Sequence, residues 1–392
     1  MPPVSPPSDF ERLLGPDRRS MPRPGGIALV VFLIAVTVLV GLILLRPGEQ
    51  PAIDRLLFGF ADRVIPATVE SVEEAGCSYA ADLDCRTVVF VFDHEELAGS
   101  HPQEFPVEVG QQVFATGDAV YLSMVESEDG TVSLNYYDRN RGPLLAVVAL
   151  VFALAVVGLG RMRGLAALIG LALSVGILMW FIIPAIIAGR DAVLVALVGG
   201  GAIALVSLYL AHGYTPLTHV AAVGAFAALA LTTGLSWVVV EAAEFSGLVS
   251  EEAFYLLALP DIDLSGLLLA GIVLGAIGAL DDVTVTQASA VWEVSQANPE
   301  LERGALFESG LRIGRDHIAS TVNTLLLAYA GAAMPLLILY SLAALPLGVV
   351  ATSEVVAVEI MRTLVGSIGL VAAVPMTTWL AARQLTGGQT SD

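Results

Sequence analysis

The chain has 392 residues, 56% of them hydrophobic and only 14% charged, with a mean hydropathy of +0.79. Soluble globular domains carry about a quarter charged residues, so this composition excludes an ordinary soluble protein and points to a multi-pass membrane protein. The formal charge of −20 argues against nucleic acid as a partner.

The charge is unevenly placed. Eighteen of the 38 acids, against five arginines, fall between residues 47 and 142. Every strong base is an arginine, so chemistry that needs lysine, such as a Walker A loop or a Schiff base, is absent. Apolar stretches long enough to cross a bilayer, about 17–25 residues, occur at 25–45, 143–160, 164–188, 192–211, 217–240, 264–283, 318–342 and 363–382.

Residues 1–24 read as a cytoplasmic tail, because Arg12, Arg18, Arg19 and Arg23 precede the first span. Basic residues before an apolar core also describe a signal peptide. The core at 25–45 is longer than a signal core, and it ends in Leu-Leu-Arg-Pro rather than a small-x-small site, which favours a retained anchor. Residues 47–142 then form an extracytoplasmic domain. Apolar and polar residues alternate at 65–73, 86–93, 105–114, 119–127 and 131–138. Gly117-Asp118 and Glu128-Asp129-Gly130 punctuate the last strands. Five short strands suit a small all-β barrel of the oligonucleotide/oligosaccharide-binding (OB) type, either a docked cap or a binding module. Cys77 and Cys85 are the only cysteines. Outside the cytoplasm a disulfide across the Tyr79–Asp84 loop is the simplest reading. A metal site with His94 and His101 and a pair of free thiols are the alternatives, although no zinc-type spacing is present.

Residues 143–383 read as seven further helices, followed by a cytoplasmic tail at 384–392. Arg161, Arg163, Arg303, Arg312, Arg315 and Arg383 fall on the inner side of an eight-span scheme with both termini in the cytoplasm of a bacterial cell. Glu241, Glu244, Glu251, Glu252, Asp261, Asp263, Glu354 and Glu359 fall on the outer side, with Arg190 and Arg362 as exceptions. Glycine and alanine runs such as Gly199-Gly200-Gly201 are packing surfaces for close helix approach. Pro184 and Pro375 interrupt two spans and occur in transporters and inert bundles alike.

Two polar clusters stand out. Ser265 to Leu280 is sixteen residues without a charge and ends on Asp281 and Asp282. Asp282, Thr286, Ser289 and Glu293 share one helical stripe. Asp316, Ser320, Asn323 and Thr324 share another at the start of the next span. Both lie at inner helix ends, so they either cap the hairpin or form a proton or cation site. The expected members of that site are Asp281, Asp282, Thr284, Thr286, Asp316, Ser320, Asn323 and Thr324, whose oxygens suit a hard cation. On this reading an Asp281 or Asp282 carboxylate approaches Ser320, Asn323 or Thr324 directly or through one water or ion.

HExxH, GxSxG, GxxxxGK[ST] and CxxC are all missing, and the aspartates lack the contexts of intramembrane aspartyl proteases. No enzyme and no cofactor are expected.

Gly278-Ala-Leu-Asp-Asp-Val-Thr-Val-Thr-Gln-Ala-Ser (278–289) and Gly314-Arg-Asp-His-Ile-Ala-Ser-Thr-Val-Asn-Thr-Leu (314–325) resemble the YibE/F family of bacterial multi-pass membrane proteins, as does the region from Leu370 to Thr377. The resemblance implies an anchor, an outer β-domain and a seven-helix part. It ranks Asp281 above Asp282, because some members carry a single aspartate there, and it brings no settled activity. The expected fold is therefore an α-helical integral membrane bundle of about eight spans with a small OB-like barrel. Two functions remain open. One is a proton- or cation-coupled transporter of an ion or small solute. The other is a non-transporting envelope protein whose outer domain binds an envelope component or partner protein. The lipid bilayer is a partner in both, and a homo-oligomer fits either.

Overall fold

The computed structural model describes residues 25–48, 61, 63–78, 80–92, 99–107, 113–126, 132–259, 261–343 and 345–386. The N-terminal arginines, His94, the Glu128-Asp129-Gly130 turn and residues 387–392 of the expected C-terminal tail lie outside the described residues. The chain divides into two compact units, Ala52–Gly158 and a helical unit of Met1–Pro51 with Leu159–Asp392.

The β-unit is one curled antiparallel sheet of β1 (Arg63–Cys77), β2 (Ala80–Phe92), β3 (Gly99–Pro106), β4 (Ala119–Glu126) and β5 (Val132–Arg139), in the order β3-β2-β1-β4-β5. Alternate residues fill its core, as a period of two requires: Ile65, Ala67 and Val69 on β1, Val88, Phe90 and Phe92 on β2, Val120 and Leu122 on β4. Phe90, Phe105, Phe114 and Tyr136 form an aromatic knot with ring centroids 4.9 to 6.3 Å apart.

The third strand lies at 99–106 rather than 105–114. Its Pro102 and Pro106 disguise it in the sequence, yet an edge strand tolerates proline because one side of its backbone has no strand to bond. Side chains bridge the open side between β3 and β5. The Gln103 Nε2 donates to the Leu134 carbonyl, its Oε1 accepts from the Tyr136 N–H at 2.9 Å, and His101 Nε2 lies 3.1 Å from that same carbonyl.

Cys77 and Cys85 are joined in a disulfide with Cα atoms 4.8 Å apart. The expected loop between them is replaced by strand, since β1 runs to Cys77 and β2 starts at Ala80. The bridge therefore staples a hairpin end.

The helical unit holds α1 (Gly25–Leu44), the later part of α2 (Gly142–Ile177), a π-helical turn (Leu178–Ile182) leading into α3 (Ile183–Ile187), α4 (Ala192–His212), α5 (Pro216–Ala242), α6 (Glu251–Leu256), α7 (Leu264–Ala297), α8 (Arg303–Ala332), α9 (Met334–Leu342), α10 (Leu347–Thr352) and α11 (Glu354–Thr386). Side chains cap several starts: Asp191 accepts from the Leu194 N–H, Thr215 from Thr218 with Pro216 at the first helical position, and Asp263 from Ser265. The hub is α7, against which α4, α5, α8 and α11 all pack.

Among the described residues six helices are long and apolar enough to cross a membrane, and α8 with α9, bent by 65° at Ala333, makes a seventh if the pair is one span. The expected spans 143–160 and 164–188 fall within the helical run 142–187, whose α2 segment is two helices that meet at a kink at Arg161, at φ 49° and ψ −128°.

Candidate functional site

Asp281 points into the bundle. Ser207 on α4 donates its hydroxyl to Asp281 Oδ2, while Oδ1 is buried with no hydrogen-bond partner among the described residues. Thr284, fully buried one turn on, donates to the Asp281 backbone carbonyl at 3.2 Å. Asp281 and Asp282 are adjacent, so their side chains leave the helix about 100° apart. Asp282 is exposed, and so are Thr286 and Glu293 of the same stripe.

The second expected cluster lies on α8. Asp316, Ser320, Asn323 and Thr324 occupy the exposed face of α8, and the Thr324 hydroxyl donates to the Ser320 carbonyl at 3.0 Å. Among the described residues no direct hydrogen bond joins either aspartate to these residues. The buried residues of α8, Leu306, Gly310 and Gly314, occupy another face of that helix. The partner of Asp281 comes from α4 instead. Ser207 is the one polar side chain in the run from Ala192 to Leu208, a signal present in the sequence but not used.

Sequence reasoning also passed over Gln287, although it lies within the 278–289 motif. It is 3% exposed, and its Nε2 donates to the Gly310 carbonyl at 2.8 Å and to the Thr378 hydroxyl at 2.7 Å. The Thr378 hydroxyl in turn donates to the Val374 carbonyl at 2.6 Å. One carboxamide thus ties α7 to α8 and α11. Gly314 makes room for it, since a Cβ there would sit 2.8 Å from Gln287 Oε1, and Gly310 makes room for Val291 beside it, whose Cγ2 a Cβ would meet at 2.7 Å.

The same small-residue logic joins α5 to α11. A Cβ on Gly224 would strike the Thr377 hydroxyl, and one on Gly369 would strike that of Thr232. These contacts are eight residues apart on each helix and in opposite order, so the two helices run antiparallel with their backbones close. Thr377 Oγ1 and Ser367 Oγ, on the same helix, are buried without a hydrogen-bond partner among the described residues.

The centre therefore consists of one half-satisfied carboxylate, its serine donor, a bridging glutamine and a set of buried hydroxyls. Among the described residues no three His, Cys, Asp or Glu side chains come together as metal ligands.

Long apolar helices, packed through glycine and alanine around such a polar centre, define a polytopic helical membrane protein. The chain belongs to the family described as YibE/F-like protein, whose model matches residues 148–387 and so takes in both Asp281 and Gln287. No curated protein and no solved structure gives a match.

Proposed function

We propose that this protein is a proton-coupled secondary transporter of the bacterial plasma membrane, not an enzyme, with Asp281 as the coupling carboxylate. The observation that carries the reading is the bare, buried Oδ1 beside an Oδ2 held by Ser207. A carboxylate oxygen kept from water without a donor is costly, and a proton placed on it removes the charge and so most of that cost. Hard cations such as Ca²⁺ collect about six to eight oxygens. One carboxylate and one hydroxyl fall short of that set, which favours the proton as coupling ion. Uptake and release of that proton alters the contact between α7 and α4, giving the bundle two states.

The reading takes α1, the two halves of the 142–187 run, α4, α5, α7, α8 with α9, and α11 as eight spans. Both termini are cytoplasmic and the β-unit is an OB-like barrel outside. The arginines at 161, 163, 303, 312, 315 and 383 support that orientation. Asp281 then lies about 25 Å along α7 from Leu264, near the inner boundary of the hydrocarbon core.

The test is pH-difference infrared spectroscopy on the reconstituted protein. A titrating carboxylic-acid band is expected that Asp281→Asn removes and Ser207→Ala shifts, with Asp281→Asn retaining its elution profile. A wild-type spectrum in which neither variant changes any carboxyl band defeats the proposal.

The second reading, a non-transporting envelope protein, draws on the exposed carboxylates of Glu70, Glu73 and Glu74 along β1 as a binding face. It expects Asp281→Asn to leave cellular function intact.

A further inference from the structure

On α8, Asp316, Ser320, Asn323 and Leu327 are all exposed and follow one another at intervals of four, three and four residues. That spacing is the seam of a heptad, the pattern by which two helices pack along their length. The seam turns away from the bundle, because the buried residues of α8 occupy a different face. Its polar groups are unspent. The side chains of Ser320 and Asn323 make no hydrogen bond among the described residues, and neither Arg315 nor Asp316 joins an ion pair there.

Where α8 enters a bilayer, such groups face hydrocarbon, which offers them no partner. The segment from Leu325 to Leu342 that follows is almost wholly apolar, so Asn323 stands where the chain enters the membrane's interior. Groups of this kind mark helix–helix contacts in membranes.

We propose that this face of α8 is a homodimer interface, with α8 of one protomer lying parallel to α8 of its partner about a two-fold axis along the membrane normal. The occupant is a second copy because the seam is complementary to itself. A carboxamide both donates and accepts, so Asn323 pairs with its own symmetry mate. Asp316 likewise faces its own symmetry mate, and the adjacent Arg315 of each protomer supplies opposite charge beside that pair. A single asparagine in a heptad seam fixes register and the number of helices, which makes a dimer the expected assembly. The inference rests on α8 as a membrane span and is independent of transport.

The test exploits the disulfide. With Cys77 and Cys85 consumed, single cysteines introduced elsewhere report alone. Ser320→Cys and Leu327→Cys are expected to cross-link into dimers on oxidation in native membranes. Val371→Cys, on the exposed face of α11, is expected not to. Asn323→Leu, examined by light scattering in detergent, is expected to lower the mass from two chains to one, and to suppress cross-linking at Ser320→Cys by at least tenfold. The proposal is overturned by a wild-type mass of one chain together with no cross-link at either seam position. Equal cross-linking at Val371→Cys, or cross-links running only to a different polypeptide, overturns it as well. So does ready labelling of Asn323→Cys by a membrane-impermeant maleimide, which places the seam in water.

Discussion

Gln287→Leu separates the buried face of α7 from its exposed one. Leucine nearly preserves the volume of glutamine while deleting the bonds to the Gly310 carbonyl and the Thr378 hydroxyl. Each hydrogen bond contributes about 0.5–1.5 kcal/mol in folded proteins and about 0.6 on average between membrane helices. Two of them place the loss at about 1–3 kcal/mol. Both acceptors keep other bonds, since Gly310 stays within its helix and Thr378 still reaches Val374, so the lower half of that range is expected. Thr286, one residue earlier and exposed, is the control. Thr286→Ala deletes a hydroxyl that needs no protein partner and is expected to change stability by less than about 0.5 kcal/mol. Reversible unfolding in mixed micelles of dodecyl maltoside and increasing SDS, followed by tryptophan fluorescence, reads both. A Thr286→Ala loss equal to or greater than that of Gln287→Leu would mean that α7 is rotated from the orientation described, and the site geometry would fall with it.

Gly224→Ala and Gly234→Ala test the close approach of α5 to α11. A Cβ at Gly224 meets the Thr377 side chain, whereas one at Gly234 meets nothing within 4 Å. The first is expected to cost about 1–3 kcal/mol by overpacking, and the second to be neutral or slightly stabilising through helix propensity; equal effects in the same micelle titration would refute the antiparallel seam. For pH, the Ser78 N–H and hydroxyl hold the Glu104 carboxylate at 2.9 and 2.8 Å, and these bonds lower its pKa. A carboxylate whose folded pKa is depressed contributes stability that is present above its unfolded pKa and lost as pH falls through the folded value. The β-unit should therefore lose stability below about pH 4.5, and Glu104→Gln should flatten that dependence; thermal melts at pH 7, 5 and 3 decide it, with identical slopes in both proteins counting against the contact.

What the sequence disclosed followed from periodicity and length. Hydrocarbon thickness sets span length, so long apolar runs marked most helices directly, and strict alternation marked β1, β2, β4 and β5. The misses have physical causes. Pro102 and Pro106 hid β3 because proline is usually foreign to strands, and only the edge position makes it harmless. Asp282 and Thr286 form a true helical stripe with Glu293, but spacing alone does not say whether a stripe faces inward. Asp281 turned inward because α4 offers Ser207, and a partner 74 residues away leaves no local trace. Gln287 was hidden for the same reason, its partners Gly310 and Thr378 being 23 and 91 residues distant.

The carboxamide that spans β3 and β5 carries a consequence for how the β-sheet protects itself. Both edges of a five-stranded sheet ordinarily offer bare peptide groups to any passing strand, which is the route to edge-to-edge aggregation. Gln103 presents a carbonyl and an N–H to Leu134 and Tyr136 as a neighbouring strand would, so β3 blunts the edge of β5 through a side chain, without a ladder between them. The guard is one rotamer deep. Hydrogen–deuterium exchange at the Tyr136 amide should report the swing of a single side chain rather than the melting of the sheet, and its neighbours in the β4–β5 ladder should exchange far more slowly.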